Sequence, residues 1–231
     1  MILRFGVFCT ICLLLLFRDL KPLTQVEYKM TTNLELFSDY VCPWCYFMTG
    51  RIERLRHEYD VSITWRSFPL HPDTPQDGRN LDEIYQRYPY PKADMLEHLR
   101  RNARALNMPY CERSKVFNSR LAQELGAWAG SLGSGEQFHK AAFAAYFVNN
   151  ENLAEKKVLL NIVGQIGLDP AEAEAVMTQG SYSDYVEKDW QRAEELGIDV
   201  VPTFVIGENK LVGAQEYRSL SKFVNRNLVE K

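Results

Sequence analysis

Apolar and polar residues alternate with a period of two in the segments near both ends of the chain, and with a helical period in its middle. Asn33–Phe37 and Val61–Phe68 alternate and are rich in apolar or β-branched residues, which predicts two strands. Between them, Tyr46–Tyr59 carries apolar residues at helical spacing. Two strands joined through a helix predict parallel pairing in one sheet.

From about Asn80 to Gly180 the pattern is helical almost throughout. The stretches that predict separate helices are Asp82–Tyr88, Lys92–Leu106, Asn118–Ser131, Glu136–Asn149, Leu153–Ile166 and Ala171–Gln179. A further helix is predicted over Ser183–Gly197, where the glycine suits the C-terminal cap. Glu216–Leu228 predicts the last helix of the chain.

Strand patterning returns between these last two helices. Asp199–Ile206 and Leu211–Gly213 predict two strands, and Gly207–Lys210 predicts the hairpin turn between them. Pro202 lies inside the first of these strands and lacks the N–H that a sheet ladder requires. Either the segment is an edge strand, or the Val201–Pro202 bond is cis and the strand begins there.

Cys42 and Cys45 lie where the first predicted strand passes into the first predicted helix. The free amides and the positive dipole end of a helix N-terminus favour an anion such as a thiolate at Cys42. Pro43 suits the first helical position because it has no amide hydrogen to lose. Cys45 is near enough to close a short disulfide, so we expect Cys42 to attack and Cys45 to resolve.

A C-x-x-C pair can also bind zinc or form a structural bridge. Zinc normally takes four protein ligands in a structural site, yet Cys111 stands alone downstream and the four histidines lack ligand spacing. The position after a strand, with proline inside the pair, favours redox chemistry. We therefore expect no metal, and we expect Cys111 to be a buried, inert thiol.

Composition places the chain among ordinary soluble proteins. It has 231 residues, 46% hydrophobic and 25% charged, which suits one large domain or two small ones. The formal net charge of −3 gives no broad basic field, so we expect no nucleic-acid partner.

Residues 1–29 differ from the rest of the chain. The apolar run Phe5–Phe17 would span about 20 Å as a helix, against about 30 Å for a bilayer core. That length suits a signal-peptide core, but no small-x-small cleavage site follows it. We interpret residues 1–29 as an apolar leader or upstream extension, with the functional domain beginning near Met30; the alternative is an uncleaved membrane anchor.

Four segments of the chain carry motifs that are typical of one protein family. They are Ser38–Cys45, Trp65–Phe68, Asn118–Ala122, and Gly197–Phe204 followed by Gly213–Gln215. Together they resemble the FrnE-type branch of the DsbA-like thioredoxin-fold family, which is related to 2-hydroxychromene-2-carboxylate isomerase-like proteins. The resemblance implies an α/β, thioredoxin-like fold with a central mixed sheet and an inserted all-helical domain. The predicted thioredoxin-like domain comprises 30–78 and 181–231, and the insertion comprises 79–180.

The resemblance also implies roles for single residues. Cys42 would be the nucleophile, Cys45 the resolving thiol and Pro202 a cis proline beside them, with substrate contacts from Trp44, Val201 and Thr203. Trp44 stands where strongly oxidising DsbA proteins carry histidine, so we expect milder stabilisation of the thiolate.

Many thioredoxin-like proteins bury an acid six residues before the first cysteine, where this chain has Leu36. Asp39 and Glu35 are alternative proton-transfer groups, although a surface or capping role is the simpler expectation for each.

Three functions are compatible with these features. The first is a thiol–disulfide oxidoreductase acting on protein or small-molecule thiols. It would use its own dithiol and need no cofactor, with glutathione as a candidate co-substrate. The second is a glutathione-dependent isomerase or transferase, disfavoured because those relatives usually lack the second cysteine. The third is a non-catalytic peptide-binding module. We expect a cytoplasmic location, or an exported or membrane-anchored one if residues 1–29 act as a leader or anchor.

Overall fold

The computed structural model describes residues 31–86 and 89–228, and its centre is a mixed sheet. The strands are β1 (Thr32–Ser38), β2 (Val61–Ser67), β3 (Arg79–Asn80), β4 (Lys115–Val116), β5 (Thr203–Ile206) and β6 (Asn209–Val212). Four of them form the central sheet in the order β2–β1–β5–β6, and β3 pairs only with β4 within the described chain. The α/β fold class is therefore confirmed.

Nine helices surround the sheet in the described part of the chain. They are α1 (Pro43–Glu58), α2 (Leu81–Tyr85), α3 (Lys92–Ala105), α4 (Arg120–Ser131), α5 (Gly135–Phe147), α6 (Lys156–Gln165), α7 (Pro170–Gln179), α8 (Ser183–Glu195) and α9 (Tyr217–Arg226). Most of their ends lie within about two or three residues of the ends of the predicted helices. The reason is that the apolar residues whose spacing predicts a helix are also those that pack it against the rest of the protein.

The pairing of β1 brings the two halves of the sheet together. β1 runs parallel to β2, from Thr32 opposite Val61 to Ser38 opposite Ser67, as the strand–helix–strand pattern predicted. On its other side β1 is antiparallel to β5, with Leu36 opposite Phe204. β1 is thus a central strand, and the loop that follows it emerges between β2 and β5.

The strand around Pro202 is shorter than predicted. β5 begins at Thr203, whereas the alternating pattern predicted a strand from Asp199. The Val201–Pro202 peptide bond is cis, and a proline lacks the N–H needed to join the ladder. After β5 a tight hairpin leads to β6, with Gly207 at φ 58° in the left-handed region that glycine adopts at little cost.

The sheet is buried on both faces. Leu34 and Leu36 of β1 pack against α1 and α9, in a cluster that includes Met48, Leu55 and Leu220. Phe37 points to the opposite face and joins a larger cluster built with α4, α5, α6 and α7. Alternate residues of a strand point to opposite faces, so a sheet covered on both sides gives the nearly continuous apolar run seen in β1.

The segment between the two halves of the sheet contains α2 to α7, as predicted, together with the short β3–β4 pair. Two-residue strands are too short to show an alternating pattern, so this pair was not predicted. The division of the chain into a thioredoxin-like domain and an inserted domain stays a prediction.

The apolar leader predicted at residues 1–29 lies outside the described residues. Across residues 31–86 and 89–228, no helix combines the length and the apolar character needed to cross a membrane.

Candidate active site

The two cysteines of the Cys42–Cys45 turn lie at the N-terminus of α1. Cys42 is the N-cap, with φ −89° and ψ 115°, and Pro43 occupies the first turn of the helix, as the sequence predicted. The Cys42 amide donates to the carbonyl of Asp39 at 3.1 Å, which closes the turn after β1. The helix end is not capped by any described side chain, so its positive field falls on the Cys42 sulfur.

Both thiols are free and almost completely buried, at 3% exposure for Cys42 and 2% for Cys45. Burial, followed by the hydrogen bond and charge of Cys42, raises the pKa of the Cys45 thiol well above its ordinary value. Hydrogen bonds to Cys45 from the Ser38 hydroxyl and the Asp39 amide act in the opposite direction. Cys45 is therefore protonated at neutral pH and must lose its proton before it can attack.

The Val201–Pro202 segment lies beside Cys42. The Cys42 thiol donates to the Val201 carbonyl oxygen, with 3.5 Å between sulfur and oxygen. The side chains of Val201 and Thr203 are buried, and the Thr203 hydroxyl donates to the Val200 carbonyl at 2.7 Å. This segment therefore presents backbone to the dithiol, and the substrate contacts of Val201, Pro202 and Thr203 stay predictions.

Trp44 is half-buried and packs on a histidine that the sequence did not single out. Its ring lies 5.1 Å from the ring of His98 on α3 and 5.9 Å from the ring of Phe47. His98 is exposed, so the Trp44 side of the turn borders solvent. A role for Trp44 in substrate binding stays a prediction.

Asp39 is a buried group on the other side of the turn, not the surface or capping carboxylate expected from the sequence. It is 1% exposed, and its two carboxyl oxygens accept from the amides of Val41 and Leu70, each at 3.1 Å. Burial raises the pKa of Asp39 to about 6, although hydrogen bonds from Ser119, Val41, Leu70 and Gln123 lower it. The carboxyl thereby ties β1, the following turn and the loop after β2 into one unit.

Tyr40 and His139 form a second buried polar pair behind the turn. The Tyr40 oxygen lies 2.6 Å from Nδ1 of His139, and the His139 ring stacks on Trp65 at 4.2 Å. Burial lowers the pKa of His139 to about 3, and burial together with the charge of Asp39 raises the pKa of Tyr40 well above its ordinary value. Tyr40 therefore stays protonated, and its hydroxyl donates a hydrogen bond to Nδ1 of the neutral His139 imidazole.

The Asn118–Ala122 motif anchors the loop Pro69–Gly78. Asn118 donates from its side-chain amide to the carbonyls of Pro72 and Thr74 at 3.1 and 2.8 Å. One turn later, Gln123 donates to the Phe68 carbonyl at 2.9 Å. These hydrogen bonds hold the loop near the site. The motif therefore helps to fix the position of the loop.

Glu35 has a structural role in this arrangement. Its carboxylate pairs with Arg66 at 2.8 Å and with Arg192 at 3.2 Å, and Arg66 also pairs with Asp189 at 3.0 Å. These pairs join β1 and β2 to α8 on the face of the sheet opposite α1. The Glu35 carboxylate thus contacts Arg66 and Arg192, which gives it a role in joining β1 to β2 and α8.

Cys111 is half-buried, not buried as expected from the sequence, and its thiol donates to the Glu112 carbonyl at 3.5 Å. Among residues 31–86 and 89–228, no group of three or more His, Cys, Asp or Glu side chains is arranged to hold a metal ion.

Comparison with known proteins identifies the family. The model of the DSBA-like thioredoxin domain matches residues 33–225. This chain belongs to the DSBA-like thioredoxin domain family. The uncharacterized protein YwbO of Bacillus subtilis (strain 168) is 27% identical over 191 residues, which are 80% of this chain and 92% of YwbO.

Solved structures share this fold at low sequence identity. A probable DsbA oxidoreductase from Streptomyces coelicolor superposes with a TM-score of 0.77 at 24% identity, covering 85% of this chain and 89% of the other. A 2-hydroxychromene-2-carboxylate isomerase gives 0.69 at 18% identity, covering 84% and 95%. The cytosolic disulfide reductase DsbM from Pseudomonas aeruginosa gives 0.61 at 18% identity, covering 84% and 98%, and it has also been solved with glutathione.

Proposed function

We propose that the protein is a thiol–disulfide oxidoreductase that exchanges disulfides with protein or small-molecule thiols through Cys42 and Cys45. The observation that carries the proposal is the placement of two free thiols at the N-terminus of α1, with Cys42 Sγ 3.5 Å from the Val201 carbonyl. Membership of the DSBA-like family supports it, because that family contains oxidoreductases and isomerases.

The proposed mechanism uses the two thiols in turn. The Cys42 thiolate attacks a substrate disulfide, forms a mixed disulfide and releases one substrate thiolate. Cys45 then loses its proton and attacks Cys42 Sγ, which closes the Cys42–Cys45 disulfide and releases the second substrate thiolate. The substrate disulfide is reduced by two electrons and the dithiol is oxidised by two; the oxidised form runs the same steps in reverse.

We propose that an extended substrate lies along the surface beside Cys42. Val200 and Val212 are exposed at 45% and 49%, and they flank the segment that presents the Val201 carbonyl. We propose that Trp44, Val201, Pro202 and Thr203 contact substrate there, through backbone in the case of Val201. The glutathione complex of DsbM supports glutathione as a co-substrate, and the cytosolic location of DsbM supports our prediction of a cytoplasmic location for this protein.

The experiment is turnover of insulin disulfides with dithiothreitol as the reductant. We expect Cys42→Ser to abolish catalysis, because serine is not nucleophilic enough to open a disulfide. Cys45→Ala should trap mixed disulfides that are visible on a non-reducing gel. Cys111→Ser is the matched control and should retain full activity. Full activity in Cys42→Ser would refute the assignment.

A glutathione-dependent isomerase or transferase is the second candidate, favoured by the likeness to the chromene-carboxylate isomerase fold. Conjugation of glutathione to a model electrophile, without disulfide turnover, would support this candidate. Peptide binding that survives Cys42→Ser combined with Cys45→Ser would instead indicate a non-catalytic binding module.

A further inference from the structure

A cavity of about 560 Å³ lies along β2, and neither cysteine of the dithiol lines it. That volume falls within the range of small-molecule sites, which is about 300–1,000 Å³. β2 forms one wall, where the half-buried Trp65 supplies aromatic surface, and the C-terminal half of α4 and the first turn of α5 form another. The cavity is therefore large enough for a small molecule and does not include the two reactive sulfur atoms.

The first turn of α5 borders this cavity and leaves amides without a helical partner. Gly135, Glu136 and Gln137 line the cavity and are the first three residues of this 13-residue helix. The amide of the next residue, Phe138, donates to the Ser134 carbonyl at 3.0 Å, and no described side chain caps the helix end. The free amides of the first turn and the positive end of the helix dipole together favour a bound anion.

His139 supplies an independent hydrogen-bond donor at the same place. It lies one helical turn after Gly135, and therefore on the same face of α5, and it lines the cavity. Its Nε2 is 3.8 Å from the position that a Cβ on Gly135 would occupy. His139 is only 9% exposed, and across residues 31–86 and 89–228 no group forms a hydrogen bond with Nε2. A buried polar atom therefore lies at the start of α5 without a protein partner.

Tyr40 determines which nitrogen of His139 carries the hydrogen. The Tyr40 oxygen lies 2.6 Å from Nδ1, and burial keeps both groups neutral because it raises the pKa of Tyr40 and lowers the pKa of His139. The Tyr40 hydroxyl donates and Nδ1 accepts, so the single imidazole hydrogen is on Nε2. The ring also stacks on Trp65 at 4.2 Å, which holds its orientation. A ligand atom at Nε2 must therefore accept a hydrogen bond.

The charged side chains around the cavity are already paired with one another. Arg66 pairs with Asp189 at 3.0 Å. Glu136, in the first turn of α5, pairs with Arg56 and, at 3.4 Å, with Lys140. The negative charge of Glu136 is thus offset by two cations, and the groups that lack a partner at the start of α5 are N–H donors.

We propose that this cavity binds a small organic anion, with its carboxylate or phosphate group at the start of α5 and its apolar body against Trp65. The anionic oxygens accept from the amides of the first turn and from Nε2 of His139. The volume exceeds that of the anionic group alone, and the Trp65 ring offers apolar surface for the rest of the molecule. This inference goes beyond the function proposed above, because binding here requires neither thiol.

The test is binding of benzoate and phenyl phosphate to the full chain, followed by tryptophan fluorescence and isothermal titration calorimetry. The two probes share an aromatic ring and differ in the anionic group, so their relative affinity shows which group the site prefers. Benzamide is the neutral analogue of benzoate. We expect saturable one-to-one binding of at least one anion and at least about tenfold weaker binding of benzamide, because hydrogen bonds to a charged acceptor are the stronger ones. Benzamide binding as tightly as the anions, or no saturable binding of either anion, would overturn the proposal.

Two variants alter the site and one serves as a matched control. His139→Phe removes the Nε2 donor and should weaken binding at least about tenfold. Gln137→Glu places a negative charge in the first turn of α5, where the helix dipole favours it for folding, but repulsion should weaken anion binding at least about fivefold. Asn161→Asp adds the same charge at an exposed position of α6 that does not line the cavity, and it should bind as the wild type does.

The outcomes distinguish this inference from the proposed function. His139→Phe also leaves the Tyr40 hydroxyl without its acceptor; if this variant does not fold, Gln137→Glu decides, and wild-type affinity in Gln137→Glu overturns the proposal. Cys42→Ser combined with Cys45→Ser should bind the probe as the wild type does. Loss of binding in that double variant would place the probe at the dithiol and overturn this inference alone. Probe binding by a wild-type protein without insulin turnover would reject only the proposed function.

Discussion

The two sides of the Cys42–Cys45 turn differ in the chemical groups that surround them. On the front, Cys42 meets the Val201 backbone, and Trp44 packs on the exposed His98. On the back, Cys45 is buried, and the buried side chains of Asp39 and Tyr40 fill the space against the following helices. The front leaves backbone and apolar surface near solvent, whereas the back contains buried, hydrogen-bonded polar groups.

We expect the two sides to differ in their tolerance of substitution. Buried polar groups are costly when their partners are lost, so the back should tolerate little change. Exposed contacts contribute little to stability, so the front should tolerate more change. Three predictions test this contrast, and the largest effect is expected on the back.

Asp39→Asn should remove a pH-dependent part of stability. The Asp39 carboxyl has a pKa of about 6 in the folded state against 3.8 ordinarily, so the folded protein binds this proton more tightly than the unfolded chain. This group therefore stabilises the fold below about pH 4, and that contribution is lost as the pH rises through about 6, by about 3 kcal/mol at most. Urea unfolding should show that wild type loses more stability than Asp39→Asn between about pH 4 and pH 7.

The control for this prediction is an exposed carboxyl on the hairpin, Glu208. Glu208→Gln should follow the wild-type pH dependence. If the free energies of unfolding of Asp39→Asn and wild type change in parallel between about pH 4 and pH 7, the pKa of Asp39 is not raised by burial as expected.

Gly126→Ala should destabilise the protein by about 2 kcal/mol, because a Cβ at this position would overlap the Tyr40 hydroxyl held by His139. Gly50 of α1 has no atom near the corresponding position and is exposed, so Gly50→Ala should stabilise by about 0.5–1 kcal/mol. Thermal unfolding of both variants measures the contrast. Equal shifts would mean that Tyr40 can move aside, and the back would then be less rigid than its packing indicates.

His98→Ala should give the smallest effect on stability, within about 0.5 kcal/mol, because His98 is exposed and its ring packs on the half-buried Trp44. The intrinsic fluorescence should change, since the ring beside Trp44 is lost. Denaturant unfolding followed by both circular dichroism and fluorescence checks this. If His98→Ala lowered the free energy of unfolding by more than about 2 kcal/mol, the front of the turn would be as sensitive to substitution as the back.

Much of the fold followed from local periodicity. The parallel β1–β2 pair, the helical segment and the terminal β5–β6 hairpin were all predicted, because their apolar residues repeat with the period of the element that buries them. The β3–β4 pair was not, since two residues per strand carry no period. β5 was predicted too long because the alternating pattern continues through Asp199–Pro202, where no ladder forms.

The site was predictable where it is local in sequence. Cys42, Pro43 and Cys45 are found by their spacing at a strand–helix junction. His139 was missed and the burial of Asp39 was not expected, because a lone Asp in a turn and a lone His in a helix look the same whether exposed or buried. His139 carries no motif, and its meaning depends on packing against Tyr40 and Trp65.

The sequence by itself determined the class of fold and the position of the Cys42–Cys45 pair at a strand–helix junction, because both are encoded by neighbouring residues and by the repeat of apolar positions. Only the tertiary structure decided what surrounds that pair. The Val201 carbonyl in front and His139 behind come from segments brought together by the sheet and by α5. Burial, which fixes whether such groups hold or lose protons, is a property of the packed molecule and has no local signature in the chain.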